Sequence, residues 1–251
     1  MYKILANTLF FAKNVVYVPE CHSTSSLLLD LAAKTNLPEG TVVITDNQTK
    51  GRGQRGNSWE AAPSMNLTFS ILLKPTFLMV GEQFAITQAV SLALADYLRQ
   101  RGASPVKIKW PNDLMIGEQK VAGILIENTL VGNSIQQSVV GIGMNINQQA
   151  FEVPTATSLG RAVGKAFSLP DEWALLVEKL EYRFMQLKGI NKEALHVDYF
   201  EHLYRFGQPG TFEIAGLQVI GTIKSVDANG KLLVDIEGAI RSFALKEIRF
   251  L

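Results

Sequence analysis

The chain has 251 residues, of which 47% are hydrophobic, and its 24 Lys+Arg against 23 Asp+Glu give a net charge of +1. This length suits one large domain, or a large and a small one, with a core that needs neither disulfides nor a metal. The composition excludes a disordered chain, and the balanced charge excludes a general nucleic-acid binder. Because Cys21 is the only cysteine, a disulfide framework and a thiolate-ligated zinc cluster are also excluded.

Targeting and membrane signals are absent from the sequence. The first residues form only a short apolar run, which Asn7 and Thr8 interrupt, and no stretch of about 18 uncharged apolar residues follows. We therefore expect a soluble, cytoplasmic protein.

The first part of the chain predicts one helix and two strands. Hydroxyl side chains at Ser23–Ser26 precede the mostly apolar residues 27–34, which is typical of a helix with an N-terminal cap. Residues Thr41–Thr45 form a β-rich run, and Asn66–Leu73 predicts a second strand.

The middle of the chain shows the clearest periodicities. Residues 82–101 carry apolar side chains at helical spacing and end at Gly102. Residues 106–110 alternate with period two, which predicts a half-buried strand, and Pro111 ends it. Residues 114–127 predict a hairpin.

The last part predicts a change of architecture. A long strand, Ile135–Ile146, and a helix over 171–188 are followed by short β runs, with a hairpin signal at Asn229-Gly230. We therefore predict a large ligand-binding domain over 1–204 and a small β-barrel over 205–251.

The loop Gly51–Gly56 matches the pattern G-x-G-x-x-G. A dinucleotide-binding fold requires a helix after this loop and an acidic residue about 20 positions further along the chain. Residues 57–63 are a poor start for a helix, and no Asp or Glu occurs from Ala61 to Gly81. A Rossmann oxidoreductase is therefore disfavoured. The glycines with Arg52 and Arg55 suit phosphate or carboxylate binding, and an exposed, flexible loop is the alternative.

A second group of polar residues surrounds the predicted hairpin. Asn112 and Asp113 end one strand, and Lys120 opens the next, so the hairpin brings the three side chains together. The carboxylate and the amide can hold a metal–phosphate group or a ribose, and the lysine can hold an anion. An Asx-type turn after Pro111 with an exposed lysine is the alternative.

Taken together and in order, these motifs resemble those of the biotin–protein ligases. The resemblance covers about Tyr17 to Leu251, includes Ser23-Thr24 and the C-terminal β module, and rests mainly on four segments: Gly51–Trp59, Lys109–Leu114, Lys120–Glu127 and Gly141–Asn147.

The resemblance implies a fold and a reaction. The fold is a mixed β-sheet flanked by helices, related to class II aminoacyl-tRNA synthetases, plus a small SH3-like barrel. The reaction uses ATP and Mg²⁺: biotin is activated to biotinyl-5′-AMP with release of pyrophosphate. Biotin is then transferred to a lysine of the biotin carboxyl carrier domain of a carboxylase such as acetyl-CoA carboxylase.

The resemblance also implies roles for individual residues. Lys120 and Arg52 are the catalytic residues, and Asp113 is a candidate Mg²⁺ ligand. Biotin contacts are expected from Ser23, Thr24, Ser25, Gln48, Arg52, Gly53, Gln54, Lys120 and Gly123. Contacts to ATP or the adenylate are expected from Gly51, Arg55, Gly56, Trp59, Asn112, Asp113, Gly143 and Asn145.

Two features separate this chain from part of the family. Gln54 stands where many members carry a third arginine that helps to retain the adenylate. The first site motif begins at Ser23, which leaves no room before it for the DNA-binding domain of repressor members, so no nucleic-acid partner is expected. The sequence leaves open whether the chain forms a homodimer. Loop 51–56 is expected to become ordered over the adenylate.

Alternatives to a biotin ligase remain open on the sequence alone. A lipoate or octanoate ligase or transferase shares the catalytic fold and the acyl-binding lysine. A non-catalytic biotin-binding protein is expected to lack Lys120 or the loop arginines, and both are present.

Overall fold

The computed structural model describes residues 2, 5, 7–189 and 192–251, and of Arg55 it describes the backbone. The elements in chain order are β1 (Val15–Cys21), α1 (Thr24–Lys34), β2 (Val42–Gln48), β3 (Leu67–Leu73), α2 (Phe84–Gln100), β4 (Val106–Lys109), β5 (Asp113–Ile116), β6 (Gln119–Val131), β7 (Ser134–Met144), α3 (Leu159–Val163), α4 (Leu169–Lys188), α5 (Lys192–His202), β8 (Pro209–Ile214), β9 (Leu217–Val226), β10 (Leu232–Ile236), β11 (Ala239–Phe243) and β12 (Arg249–Phe250).

The larger sheet has seven strands in the order β1-β2-β3-β7-β6-β5-β4. Strand β1 pairs with β2 in parallel, and the remaining neighbours pair antiparallel. The sheet is therefore mixed, as predicted. No helix within the described residues is long and apolar enough to cross a membrane.

Period-two alternation along the central strands divides the core between the two faces of this sheet. On one face, Phe69 and Ile71 belong to the main core with helices α2 and α4, and Trp173 of α4 meets Phe69 edge-on with ring centroids 5.0 Å apart. On the other face, Leu72 and Val139 pack against Leu28 of α1. The sheet is thus flanked by helices on both faces.

Beyond α1, that second face carries small side chains. Ser70 and Thr68 alternate with the core residues of β3, and their partners on β7 are Gly141 and Gly143. Gly143 in turn faces Gly123 on β6. Because these residues are small, the sheet leaves a depression where α1 does not cover it.

The smaller sheet is antiparallel, with five strands in the order β11-β10-β9-β8-β12. It contacts the larger one through the side chain of Trp110, which follows β4 and whose Nε1 donates to the carbonyl of Gly230 at 2.9 Å. The segment that leads into the smaller sheet is fixed to β4 by Tyr204 N, which donates to the carbonyl of Ile108 at 2.8 Å. The predicted boundary at 204/205 lies between α5 and β8 and stays a prediction.

The strongly periodic segments form the predicted elements within a few residues, whereas β1, α3 and β12 have no counterpart among the predictions. Strand β1 lies at the sheet edge and contains Pro19, which disrupts the strand pattern without preventing edge pairing. The other two are short, with five residues in α3 and two in β12, so they leave little periodic signal.

Candidate functional site

A cavity of about 290 Å³ lies on the depression of the larger sheet. This is close to the lower end of the range of roughly 300–1,000 Å³ found for small-molecule sites. The predicted site residues that line it are Ser23, Thr24, Ser25, Gln48, Arg52, Gly53, Gln54, Trp59, Asn112, Asp113, Lys120, Gly123 and Gly143.

One end of the cavity is a cluster of neutral polar groups, which we call the hydroxyl cluster: Thr24, Ser25, Gln48 and Ser70. The Ser70 hydroxyl lies 2.8 Å from Thr24 Oγ1 and 3.0 Å from Ser25 Oγ. Gln48 Oε1 accepts from the Thr24 backbone N–H at 2.8 Å. The three hydroxyl-bearing residues are buried. Ser23 fixes the cluster because its side chain caps α1, accepting from Ser26 N. This end therefore offers rigid hydrogen-bond donors and acceptors without net charge.

Arg52 is held by a carboxylate on the central sheet. Its guanidinium forms a two-point fork with Glu127, in which Nη2 lies 2.6 Å from Oε1 and Nη1 lies 3.1 Å from Oε2. Nη1 also donates to the Ser26 hydroxyl at 3.2 Å. Glu127 is on β6, so the fork joins a surface loop to a rigid strand.

Lys120 and Asp113 form the second cation–carboxylate pair of the cavity, with Nζ and Oδ1 2.7 Å apart. The backbone of Lys120 is itself fixed, because its N–H donates to Thr155 O at 2.7 Å and its carbonyl accepts from Thr157 N at 2.8 Å. The neighbouring Asn112 also lines the cavity, and its side-chain amide donates a hydrogen bond to Ile124 O within the hairpin at 2.6 Å. The hairpin therefore brings Asp113 and Lys120 into contact, and Asn112 lines the same cavity.

The indole of Trp59 covers the glycine-lined floor. A Cβ on Gly123 would lie 3.1 Å from Trp59 Cζ3, and a Cβ on Gly143 would overlap the ring. Lys120 Nζ lies 5.5 Å from the centroid of the same ring. Among the described residues, Trp59 Nε1 is buried without a hydrogen-bond partner. The indole is thus both a wall of the cavity and an unused donor beside it.

Three predicted residues with described side chains or backbones, Gly51, Gly56 and Asn145, are not part of the cavity lining. Gly51 and Gly56 shape the loop: Gly51 O accepts from Trp59 N at 3.0 Å, and Gly56 has a φ of +87°. Asn145 is buried behind the site, where Nδ2 donates to Thr157 O at 3.0 Å. The side chain of Arg55 lies outside what the structure describes, so its predicted role stays a prediction.

Several residues of the site are not predicted by the sequence. Ser70 lies inside β3 and belongs to no motif, and Glu127 ends the motif segment Lys120–Glu127 without a predicted site role. Lys109 lines the cavity, and burial, together with nearby positive charges, holds the pKa of its ammonium below the ordinary value for lysine. The C-terminal unit contributes Leu245, Lys246, Ile248, Arg249 and Phe250.

The donor set around Asp113 limits what metal chemistry the protein can supply. Within the described ranges, no group of three or more His, Cys, Asp or Glu side chains is arranged to hold a metal ion. Mg²⁺ is usually bound through one or two carboxylates plus phosphate oxygens and water. Asp113 therefore fits Mg²⁺ as a single protein ligand beside a nucleotide.

Comparison with known proteins identifies the family of the chain. The model of the Biotin/lipoate A/B protein ligase family matches residues 17–145. The biotin–[acetyl-CoA-carboxylase] ligase of Mycobacterium tuberculosis is 31% identical over 231 residues, which cover 88% of this chain and 83% of that protein. The bifunctional ligase/repressor BirA of Bacillus subtilis is 31% identical over 158 residues, and this match spans 48% of its length.

The fold is also that of a solved relative. The biotin protein ligase of Aquifex aeolicus, determined in complex with biotin and ATP, superimposes with a TM-score of 0.78 at 24% identity, covering 95% of this chain and 100% of that one. The fold and site define a member of the biotin/lipoate A/B ligase class. Within that class, the chain belongs to the biotin–protein ligases.

Proposed function

We infer that the chain is an ATP-dependent biotin–protein ligase. It activates biotin to biotinyl-5′-AMP, releases pyrophosphate, and transfers biotin to a lysine of the biotin carboxyl carrier domain of a biotin-dependent carboxylase. One observation carries this inference: a single cavity joins the neutral hydroxyl cluster to the two cations Arg52 and Lys120.

The hydroxyl cluster suits the ureido ring of biotin, which has one carbonyl and two N–H groups. Ser25 and Thr24 can donate to the carbonyl, and Gln48 Oε1 can accept from an N–H group, while the fully buried Ser70 orients the two hydroxyls from outside the cavity lining. The cavity beside the indole of Trp59 offers about 290 Å³ for the bicyclic ring and its aliphatic chain. The carboxylate at the other end of biotin then points toward the two cations.

In the first step, a carboxylate oxygen attacks the α-phosphorus of ATP, and the bond from that phosphorus to the bridging oxygen of pyrophosphate breaks. Both reactants are anions, so cations fixed beforehand lower the barrier. Lys120 and Arg52 would neutralise the carboxylate and the charge that develops at the α-phosphate. Mg²⁺, held by Asp113 and the phosphates, would add Lewis-acid stabilisation of the polyphosphate.

In the second step, the acceptor lysine attacks the mixed anhydride at its carbonyl carbon, and AMP leaves. The adenylate is hydrolysed unless water is kept out, and a loop that closes over the site can exclude it. The loop after β2 carries Arg52 and Trp59 on opposite sides of a small turn bridged by Arg52 and Ser58. We propose that this turn holds the intermediate.

We also propose the division 1–204 and 205–251, with a synthetase-like large domain and an SH3-like barrel. The order of the two sheets supports it, since the seven-stranded sheet is complete before residue 145 and the five-stranded sheet begins at Pro209. A homodimer and an acetyl-CoA carboxylase acceptor stay predictions.

Lipoate is the competing substrate, because the family model covers both kinds of ligase. The dithiolane ring of lipoate offers no strong hydrogen-bond partner for buried hydroxyls, and leaving such groups unpaired costs about 1–3 kcal/mol each. The hydroxyl cluster therefore favours biotin.

The test is intact mass spectrometry of a carrier domain incubated with the full chain, Mg²⁺, ATP and biotin or lipoate. We expect a biotin mass shift that requires ATP and is absent with lipoate. Lys120→Ala should slow the reaction by ~10²–10³, as expected for loss of one preorganised charge. The matched control is Lys224→Ala, whose lysine pairs with Asp235 at 3.5 Å outside the cavity. A shift with lipoate alone would overturn the assignment.

A further inference from the structure

The side chain of Gln148 lies against the loop that connects β2 to β3. Gln148 follows strand β7 and is 3% exposed. Its Oε1 accepts from the backbone N–H of Ala62 at 2.8 Å and from Asn66 Nδ2 at 2.5 Å. Its Nε2 donates to Ala150 O at 2.8 Å and to Glu60 Oε1 at 3.2 Å. A side-chain amide has two acceptor and two donor positions, so each of them is occupied.

Two partners of Gln148 extend these contacts into a polar clamp, which we define as Glu60, Asn66 and Gln148. Asn66 Oδ1 accepts from Ile146 N at 3.0 Å, and Glu60 Oε2 accepts from Glu152 N at 3.3 Å. Both amide side chains of the clamp are buried. A buried network in which each polar group has a partner makes the surrounding backbone rigid. The clamp therefore ties the loop after β2 to the segment after β7.

The polar clamp is directly next to a wall of the cavity. Glu60 follows Trp59, whose backbone N–H donates to Gly51 O at 3.0 Å and so closes the base of the turn over residues 51–59. Gln148 itself lies outside the cavity lining. Any effect of Gln148 on a bound ligand must therefore pass through the turn.

The position of the Trp59 indole depends on the backbone that carries it. Among the described residues, Trp59 Nε1 has no hydrogen-bond partner, so the ring is held on the glycine floor by packing. The opposite side of the turn is held by Arg52, whose ion pair with Glu127 is partly exposed and therefore a weak constraint. The buried clamp is the stronger attachment of the turn.

We propose that Gln148 is a positioning residue for the turn over residues 51–59. By fixing the chain directly after Trp59, it holds the indole over the cavity and keeps biotinyl-5′-AMP bound until the acceptor lysine arrives. This inference rests on the proposed function. It assigns retention of the intermediate in part to a residue outside the cavity.

The experiment measures the release of biotinyl-5′-AMP from the full chain after reaction with biotin, ATP and Mg²⁺ without an acceptor. Gln148→Met keeps an unbranched side chain of similar length and removes the hydrogen bonds of the amide. Gln88→Met is the matched control. Gln88 is a buried glutamine of α2, its Nε2 lies 2.9 Å from His196 Nδ1, and it is outside the cavity lining. Thermal melting measures the stability of each variant.

We expect Gln148→Met to release the adenylate ~10-fold faster than wild type, because small displacements of a positioned group have effects of this size or larger. Trypsin should cleave after Arg52 and Arg55 ~10-fold faster as well, since cleavage follows the population of the open loop. Gln88→Met should change both rates by less than about threefold, because a loop opens independently of stability elsewhere in the fold.

An exchange of side chains tests the clamp without emptying it. Gln148→Glu places a carboxylate against that of Glu60 and should release the adenylate as fast as Gln148→Met does. Adding Glu60→Gln provides a donor opposite the new acceptor, so the double variant should recover slow release. This comparison also decides the question where Gln148→Met does not fold.

The inference is overturned if Gln148→Met and Gln88→Met release the adenylate at the same rate, or if the double variant releases it as fast as Gln148→Glu alone. Failure of the proposed function itself looks different, because wild type would then form no biotinyl-5′-AMP from biotin and ATP.

Discussion

The indole ring of Trp59 lies directly on the backbone of Gly143, so closely that a Cβ at this position would overlap the ring atoms Cε2 and Nε1. The glycine is needed here for close approach, since its own backbone is ordinary β-strand. The shape of the cavity thus depends on a residue that contributes no side chain to it.

Gly143→Ala is expected to push Trp59 away from the floor. Overpacking of this kind costs about 1–3 kcal/mol of folding stability, and the displaced wall should raise KM for biotin by ~10-fold. Combining it with Trp59→Ala removes the clash, so a double-mutant cycle should show coupling of about 0.5–3 kcal/mol. Gly81→Ala is the control, because the nearest atom to its Cβ is Asn229 Oδ1 at 4.0 Å. Additive effects of the two substitutions would contradict the described packing.

Glu127→Gln should release Arg52 while leaving the fold nearly unchanged. The pair is partly exposed, at 41% and 29% of the two side chains, so its contribution to stability is within about 1 kcal/mol. Its contribution to binding should be larger, because under the proposed function the fork positions Arg52 for the biotin carboxylate. We expect KM for biotin to rise by ~10-fold, equal to about 1.4 kcal/mol, with little change in melting temperature.

The control for Glu127→Gln is Asp235→Asn, which weakens an ion pair with Lys224 away from the cavity. Tighter binding of biotin by Glu127→Gln would show the opposite relationship, in which Glu127 competes with the substrate for Arg52.

Ser70→Ala should disrupt the hydroxyl cluster while leaving every predicted site residue unsubstituted. Ser70 is fully buried and bonds to both Thr24 and Ser25, so its loss leaves two hydroxyls short of a partner. We expect a loss of about 1–3 kcal/mol in the free energy of unfolding and a clear rise in KM for biotin.

Ser138→Ala separates these two effects. Ser138 is equally buried, on β7, and donates to Asn128 Oδ1 at 2.7 Å, away from the cluster. Its replacement should lower stability and leave KM for biotin unchanged. If both serine variants alter KM alike, Ser70 acts through stability alone.

Glu181 of α4 anchors the segment before β1. Its carboxylate accepts from the backbone N–H groups of Leu9, Phe10 and Phe11 at 2.7, 2.8 and 2.9 Å. Glu181→Ala should lower the free energy of unfolding by about 1.5–3 kcal/mol in denaturant titration, because buried amides lose a charged acceptor. Glu178→Ala, which removes only an exposed contact to Asn7, should change it by less than about 0.5 kcal/mol.

Many of the helices and strands could be predicted, because local hydrophobic periodicity in the sequence indicates them. The helix expected over 82–101 is α2, and the alternating residues 106–110 give β4. The site was predictable where a motif carries it, as with Lys120 and Asp113, which the hairpin brings to 2.7 Å. Ser70, Glu127 and Lys109 were not predicted as site residues, because their roles depend on contacts across strands or with the C-terminal unit.

One wall of the cavity comes from residues 245–250, and β12 is held there by pairing with β8. Assembly of the reaction centre is therefore coupled to folding of the C-terminal unit. A chain in which this unit has melted locally would keep the hydroxyl cluster and the glycine floor, and with them the means to recognise biotin. It would lack the wall that residues 245–250 supply, so under the proposed function partial unfolding would leave a protein that binds biotin without ligating it.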